Sequence, residues 1–476
     1  STISKNSLKS SLEQLDCHFT WDLQEQDVDL EELEETVGDQ IAFFGKSKPE
    51  HYNLLSYVCH LKNSNEEALR NLQKAEEAVK KIHPDEMDRR SLVTWGNYAW
   101  IYYHMERYEE AQLYVSKVET SCKKLSSPAQ QKIELPEICA EQGWALLKFG
   151  RKYYERAKNC FENALEKEPN NPEFNTGYAI TMYRLEDYLY RRCEDLSPSL
   201  KPLKRAVELN PDDTFTLTLL ALKLQDLKQV DEGEKYIEEA MQKTPCLPYA
   251  LRYAAKFYRR KGEVDKALKI LEKALAVTPR SVFLHHQIGL CYRAKLCQLQ
   301  ETTRYPPQRQ VDELMRLSIF HFKTVTDQKT KFFAAHIDLA QMYAQGKRYE
   351  EAEETFRKAS QINILSSQDK QQFCYSYGNY LRFQMKSESE AIKYYTEGLK
   401  MEKDSYYFHK CKNALKKLLE QRVQRGLADA TDFATLGFIH NLDDEKQKAA
   451  ECYEQAVALC PNNEYLSTLC ELQLSI

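Results

Sequence analysis

The 476-residue chain is poor in glycine (14) and proline (15), the residues that punctuate hairpins, which argues against an all-β fold. It lacks any run of about 18 uncharged apolar residues, so no membrane-spanning helix is predicted. The opening Ser1-Thr-Ile-Ser-Lys-Asn6 leads into acidic sequence with no apolar stretch, and a cytoplasmic rather than a secreted protein is expected. Fourteen cysteines are present without a Cys-x-x-Cys pair, so reduced thiols acting as small core residues are expected. Neither charge sign dominates: the net charge is −5. That argues against a uniformly basic coat for nucleic acid and is compatible with a basic interior in an acidic shell. A Gly-rich phosphate loop, a His-Glu-x-x-His motif and a nucleophile constellation are all missing, so an enzyme is not expected.

What is present is an internal repeat. Gly262 is followed by Ala267, Leu271, Ala274 and Pro279, and Gly233, Ile237, Ala240 and Pro245 repeat the last four at their mutual spacing. The same set returns at Ala157/Phe161/Ala164/Pro169, Ala352/Phe356/Ala359 and Ala449/Tyr453/Ala456/Pro461. Looser copies stand at Ala68/Leu72/Ala75, Ala111/Val115/Val118, Leu203/Ala206/Pro211, Ser318/Phe322/Val325 and Ala391/Tyr395/Gly398. Small residues on either side of a large one let a second helix approach a first closely, and proline then ends it. A preceding helix with apolar residues at i, i+3, i+4 and i+7 is visible in Trp95/Tyr98/Ala99/Tyr102 and Leu251/Ala254/Ala255/Tyr258. Two antiparallel helices in roughly 34 residues resemble the tetratricopeptide repeat. The expected fold is therefore an all-α superhelix of about nine or ten such units around a central groove. Insertions near Leu189–Ser197, at Arg304-Tyr-Pro-Pro-Gln-Arg309 and between the Tyr395 and Ala449 units suggest subdomains, placed at 1–137, 138–280 and 281–476.

The stripe opposite the buried one should line the groove. On 248–261 it holds Arg252, Lys256 and Arg259, flanked by Tyr249 and Tyr253. On the next first helix, His285, Ile288, Gly289 and Tyr292 are expected in the core, with Phe283, His286, Gln287 and Arg293 presented. Cations interleaved with aromatics suit phosphates and stacked bases, although a solvated charged face has the same pattern. Lys410, Lys412, Lys416, Lys417, Arg422 and Arg425 form a second candidate basic surface or an ordinary exposed helix. Gly143 and Leu146 in core register turn Trp144 and Lys148 away from the partner helix, so the indole packs on an inserted loop or stacks on a ligand. Arg184 could reach the same space. A peptide-binding scaffold is the other reading of such a repeat array, but the best basic stripe has no Asn for a Lys/Asn carboxylate clamp.

Longer strings are more specific. Cys17-His-Phe-Thr-Trp-Asp-Leu23, Arg90-Ser-Leu-Val-Thr-Trp-Gly-Asn-Tyr-Ala-Trp100, Gly143-Trp-Ala-Leu-Leu-Lys148, Arg252-Tyr-Ala-Ala-Lys-Phe-Tyr-Arg-Arg260 and Leu284-His-His-Gln-Ile-Gly-Leu-Cys-Tyr-Arg293 resemble the interferon-induced proteins with tetratricopeptide repeats, essentially end to end. The ending Leu469-Cys-Glu-Leu-Gln-Leu-Ser-Ile476 and Thr36 look closest to the fifth member, with the cap-binding first member and its paralogue as alternatives. The resemblance implies an innate antiviral protein that captures the 5′ end of single-stranded RNA in a basic tunnel and blocks viral translation. The RNA would carry a 5′-triphosphate or a cap without 2′-O-methylation, and neither DNA nor a membrane is an implied partner.

Carried over by position, phosphate contacts would fall on Gln40, Lys148, Arg252, Tyr253, Lys256, His286 and Gln287. Glu32 and Thr36 would act through a divalent cation or water near the phosphates, with no other cofactor. Tyr154, Arg184 and Phe283 would take the first nucleotides, with Tyr249, Arg259 and Arg293 beside them. Trp144, Ile180 and Phe44 would form a cap cavity. Thr36 and Phe44 stand where cap-selective relatives carry Arg and Leu, which weights the expectation towards triphosphate. Tyr453-Glu-Gln-Ala-Val457 stands where some members carry the Tyr-x-x-x-Leu used for pairing with other family members.

Overall fold

The computed structural model describes residues 4–43, 48–126, 134–189, 197–244 and 248–476. Among these residues every regular element is helical, and no helix is long and apolar enough to cross a membrane. The chain divides into two compact units, Ser1–Leu284 and His285–Ile476, with the division inside the Val282–Thr302 helix.

The first unit stacks helix pairs: Pro49–Leu61 with Asn65–Ile82, Leu92–His104 with Tyr108–Leu125, and Pro136–Lys148 with Tyr154–Lys167. Pro172–Leu189 with Leu200–Leu209, Thr214–Asp226 with Val230–Lys243, and Pro248–Lys261 with Val264–Val277 continue it. The second unit pairs Phe333–Gln345 with Tyr349–Ser360, Ser367–Asn379 with Glu388–Gly398, and Ala430–Leu442 with Lys446–Leu459. Each repeat signature is buried where the spacing places it. Leu72, Val115, Phe161, Ile237, Leu271, Phe322 and Tyr395 are 0% exposed. A buried ring or branched chain of this size contributes about 1.5–3 kcal/mol, so the repeated position carries much of each pair's cohesion.

Two features of the pairs go beyond the spacing. The ring of the second helix enters a cleft opened by glycine: a Cβ at Gly143, on the first helix of the pair, would lie 2.8 Å from Phe161, and one at Gly177, on the first helix of the next pair, 2.2 Å from it. Gly289 over Phe322 and Gly378 over Tyr395 repeat the arrangement at 2.6 Å. The turn between paired helices places a left-handed residue five positions before the first small one. Asn63, Glu106, Lys228, Lys347, Lys386 and Asp444 hold φ between 56° and 63°, and Gly262 takes this place at 94°.

The insertions are mostly helix rather than loop. Around Arg304–Arg309 the flanking helices lengthen to 21 residues each, Val282–Thr302 and Gln308–Gln328. Most of the expected Leu189–Ser197 insertion lies outside the described residues. The stretch between the Tyr395 and Ala449 units forms the Tyr406–Gln424 helix, which carries most of the second basic surface. That surface is largely neutralised, which weighs towards the ordinary-helix alternative. Asp443 takes Lys412 and Lys416, and Arg422 pairs with Asp432 at 3.0 Å while Arg425 pairs with Glu388 at 2.7 Å. The described cysteines form no disulfide, and burial pushes the Cys17 thiol up to about 12, as for an inert core residue.

Candidate functional site

The Pro248–Lys261 helix buries Leu251, Ala254, Ala255 and Tyr258, each at most 1% exposed, as its periodicity predicts. Its opposite stripe is not solvated. Tyr249, Arg252, Tyr253, Lys256 and Arg259 are all half-buried. The Arg252 guanidinium lies 5.2 Å from the Tyr253 ring centre and 4.9 Å from that of Phe283, and among the described residues it forms no ion pair with a carboxylate. Tyr253 in turn meets Phe215 edge-on at 5.4 Å. Phe215 went unnoticed in the sequence because it sits on another repeat's first helix, at no signature position. Burial, with the Asp39 carboxylate next, pushes the Tyr249 phenol up to about 12, which sets the Leu30–Phe43 helix against this stripe.

On Leu30–Phe43, Leu33 and Val37 face the core, leaving Glu32, Thr36 and Gln40 half-buried on one adjoining face. Asp29 starts the helix, its Oδ1 accepting from the Glu31 and Glu32 amides at 3.1 Å. The Thr36 hydroxyl donates to the Glu32 carbonyl at 2.8 Å, so its proton is committed to its own helix. Among the described residues no three His, Cys, Asp or Glu converge as a metal site. A cation held at Glu32 would therefore need the phosphates for most of its ligands.

Lys148 ends the Pro136–Lys148 helix. The Arg184 Nη1 donates to the Leu147 carbonyl at 3.5 Å, which brings the guanidinium beside Lys148. Burial and then the Arg184 charge lower the Lys148 ammonium to about 7. The same two kinds of cause, burial first and then Lys48 and Lys148, lower the neighbouring His51 to about 4. Among the described residues no carboxylate forms an ion pair with Lys148, so two cations crowd one another without compensation. A half-buried cation pair of this kind is an anion site in chemical terms.

Trp144 corrects its expectation. The ring is half-buried and meets Phe161 of the partner helix edge-on at 5.3 Å instead of turning away from that helix. Its Nε1 is buried without a hydrogen-bond partner among the described residues. Ile180 is 4% exposed in the same apolar cluster, and Tyr154 is half-buried against it. Phe44 lies outside the described residues. Tyr153, beside Tyr154, was missed: its hydroxyl donates to Asp27 at 2.6 Å and accepts from the Gln24 amide at 3.0 Å, tying down the segment before Leu30–Phe43.

In the second unit, Ile288 and Gly289 are buried as expected, but the two histidines are not divided as core and groove. His285 is half-buried with its Nδ1 3.0 Å from that of His321, and Tyr292 stacks on the same His321 at 5.8 Å. His286 is the buried one, its Nε2 2.7 Å from Asp338, and Arg293 donates to the other oxygen of that carboxylate at 2.7 Å. The Gln287 Oε1 is buried with no hydrogen-bond partner among the described residues.

Tetratricopeptide-repeat profiles match residues 250–282 and 333–363. The antiviral innate immune response effector IFIT1 of Macaca fascicularis is 48% identical over 96% of this chain and 97% of its own. The human interferon-induced protein with tetratricopeptide repeats 2 is 43% identical over 95% and 96%. The solved human IFIT1 dimer with m7Gppp-AAAA superposes with a TM-score of 0.84 at 46% identity, covering 96% of this chain and all of that one. The human IFIT1 dimer with PPP-AAAA superposes with a TM-score of 0.82 at 47% identity over the same shares. The likeness expected to the fifth member is corrected, since the relatives matched at 48% identity are IFIT1 proteins and an IFIT1 homologue. The chain belongs to the family of interferon-induced proteins with tetratricopeptide repeats.

Proposed function

We propose that this protein is a non-enzymatic antiviral effector of the cytosol that binds the 5′ end of single-stranded RNA and thereby withholds viral RNA from translation. The observation that carries the reading is the pair Lys148 and Arg184, uncompensated among the described residues, with the aromatic-backed Arg252 on the same unit. Phosphate oxygens supply the charge these groups lack, and the flanking rings suit the first bases by stacking. Relatives solved with m7Gppp-AAAA and with PPP-AAAA support the ligand class. Triphosphate is weighted over cap, because Thr36 brings no cation and its hydroxyl proton already serves the Glu32 carbonyl.

The test is binding of one short RNA carrying a 5′-triphosphate, a 5′-hydroxyl, an unmethylated cap or a 2′-O-methylated cap, at fixed salt. Binding confined to the triphosphate and the unmethylated cap is the expected result. Equal weak binding to all four would overturn the reading.

Lys148 makes a further expectation about pH. Its ammonium sits at about 7 in the free protein, and a bound phosphate favours the charged form. Below that pH the lysine is already charged and contributes no pH dependence. Above it, binding must take up a proton, so triphosphate affinity falls by up to about tenfold per pH unit. Lys148→Arg, which stays charged, should flatten the decline, and calorimetry in buffers of different ionisation heat should show the lost proton uptake. The free protein responds in the opposite sense. Its unfolded chain binds the extra proton between pH about 7 and the ordinary lysine range, so this residue's contribution to stability rises with pH across that window.

A further inference from the structure

The second unit contains a polar cluster that the sequence did not announce. Asp338, on the Phe333–Gln345 helix, receives the His286 Nε2 on one oxygen and the Arg293 Nη1 on the other, each at 2.7 Å. Burial alone would raise this carboxyl, but Arg293 and then His286 hold it below the usual carboxylate range. The imidazole is clamped from two further sides, with the Phe332 ring at 5.0 Å and the Phe322 ring at 5.7 Å. The charged groups on it are thus Asp338 from the neighbouring helix and Arg293 from its own, while the Gln308–Gln328 helix gives it the Phe322 ring.

The proton positions follow from donor chemistry. An ionised carboxylate only accepts, so Nε2 of His286 carries the hydrogen in that contact. Nδ1 is then the remaining polar atom of the ring. A phosphate oxygen also only accepts, so Nδ1 can bond to it only when it too is protonated, which makes the ring an imidazolium.

We infer that Asp338 is a positioning residue for RNA binding, holding His286 with Nε2–H inward so that Nδ1 is the atom left to face a phosphate. The identity of the ligand rests on the 5′-end reading, whereas the geometry does not. Arg293 keeps Asp338 ionised, so the three residues act as one device in which each charge supports the next.

The experiment combines 15N-histidine NMR of the full chain with RNA binding, comparing wild type, Asp338→Asn and Asp338→Glu. In wild type the free ring should be protonated at Nε2. In Asp338→Asn the tautomers should mix, with Nδ1 carrying the single hydrogen in part of the population. Affinity for 5′-triphosphate RNA should drop roughly tenfold at neutral pH, the worth of one charge-assisted hydrogen bond, with 5′-hydroxyl RNA unaffected. Asp338→Glu should recover part of both signals. If Asp338→Asn lowers thermal stability but leaves the tautomer and the end preference unchanged, Asp338 is only structural and the inference fails. If wild type shows no preference for triphosphate over hydroxyl, the 5′-end reading fails instead, whatever the NMR shows.

Discussion

Arg252→Glu is expected to lower affinity for 5′-triphosphate RNA by at least about a hundredfold, measured with a short RNA at fixed salt. Arg252 is half-buried against Tyr253 and Phe283, with no carboxylate partner among the described residues. Removing one member of a buried charge pair costs about 2–5 kcal/mol, and each 1.4 kcal/mol is tenfold. Reversal adds repulsion between the new carboxylate and the phosphates, and the salt dependence should become shallower as one phosphate contact is lost. The control lies on the same helix. Arg260 is exposed and paired with Asp226 at 2.7 Å, so Arg260→Glu should change affinity little, since exposed pairs contribute about 0–1 kcal/mol. Equal losses in the two variants would mean that the helix contributes only diffuse charge.

Phe161→Ala should be the most damaging core change near the site, costing about 3–5 kcal/mol. Phe161 is 0% exposed and wedged between Gly143 and Gly177, so its removal leaves a cleft with no side chain on either flank to fill it. Stacked repeats lean mainly on their neighbours, so the loss should be regional. Hydrogen exchange should accelerate first in Pro136–Lys148, Tyr154–Lys167 and Pro172–Leu189. Because Trp144 rests edge-on against Phe161 and Lys148 ends the same helix, RNA binding should weaken as well. Uniform acceleration across the first unit would instead show that its repeats melt together.

The fold was legible because it is written in spacing. The small–large–small triplet recurs in every pair, and burial follows it at Leu72, Phe161, Ile237 and Leu271 alike. The half-buried stripe of Arg252, Tyr253 and Lys256 was also legible, since the buried stripe fixes its opposite. What was not legible depends on contacts between repeats. Nothing along the chain links Asp338 to His286, or Glu388 and Asp443 to the basic residues of 410–425. Periodicity within one helix assigns a face but cannot say which carboxylate a neighbouring helix brings to it. The Trp144 error has the same origin, because Gly143 opens a cleft that admits Phe161 and draws the adjacent indole onto it. The strings that carried the resemblance divide accordingly. Cys17, His18, Trp21 and Leu23 are at most 5% exposed and plug the core, whereas Gly143–Lys148 and Arg252–Arg260 combine buried core positions such as Leu146 and Ala254 with half-buried residues of the candidate site, Lys148, Arg252 and Lys256.

The recurrent left-handed turn has a consequence for engineering. At Asn63, Glu106, Lys228, Lys347, Lys386 and Asp444 a residue with a Cβ occupies a conformation that costs most L-residues roughly 1–2 kcal/mol, while Gly262 meets the same demand without that strain. The array therefore carries small, separable reserves of conformational energy at its repeat turns, none of them among the proposed RNA contacts. Relieving them one at a time offers a route to a more robust scaffold whose ligand chemistry is left as it stands.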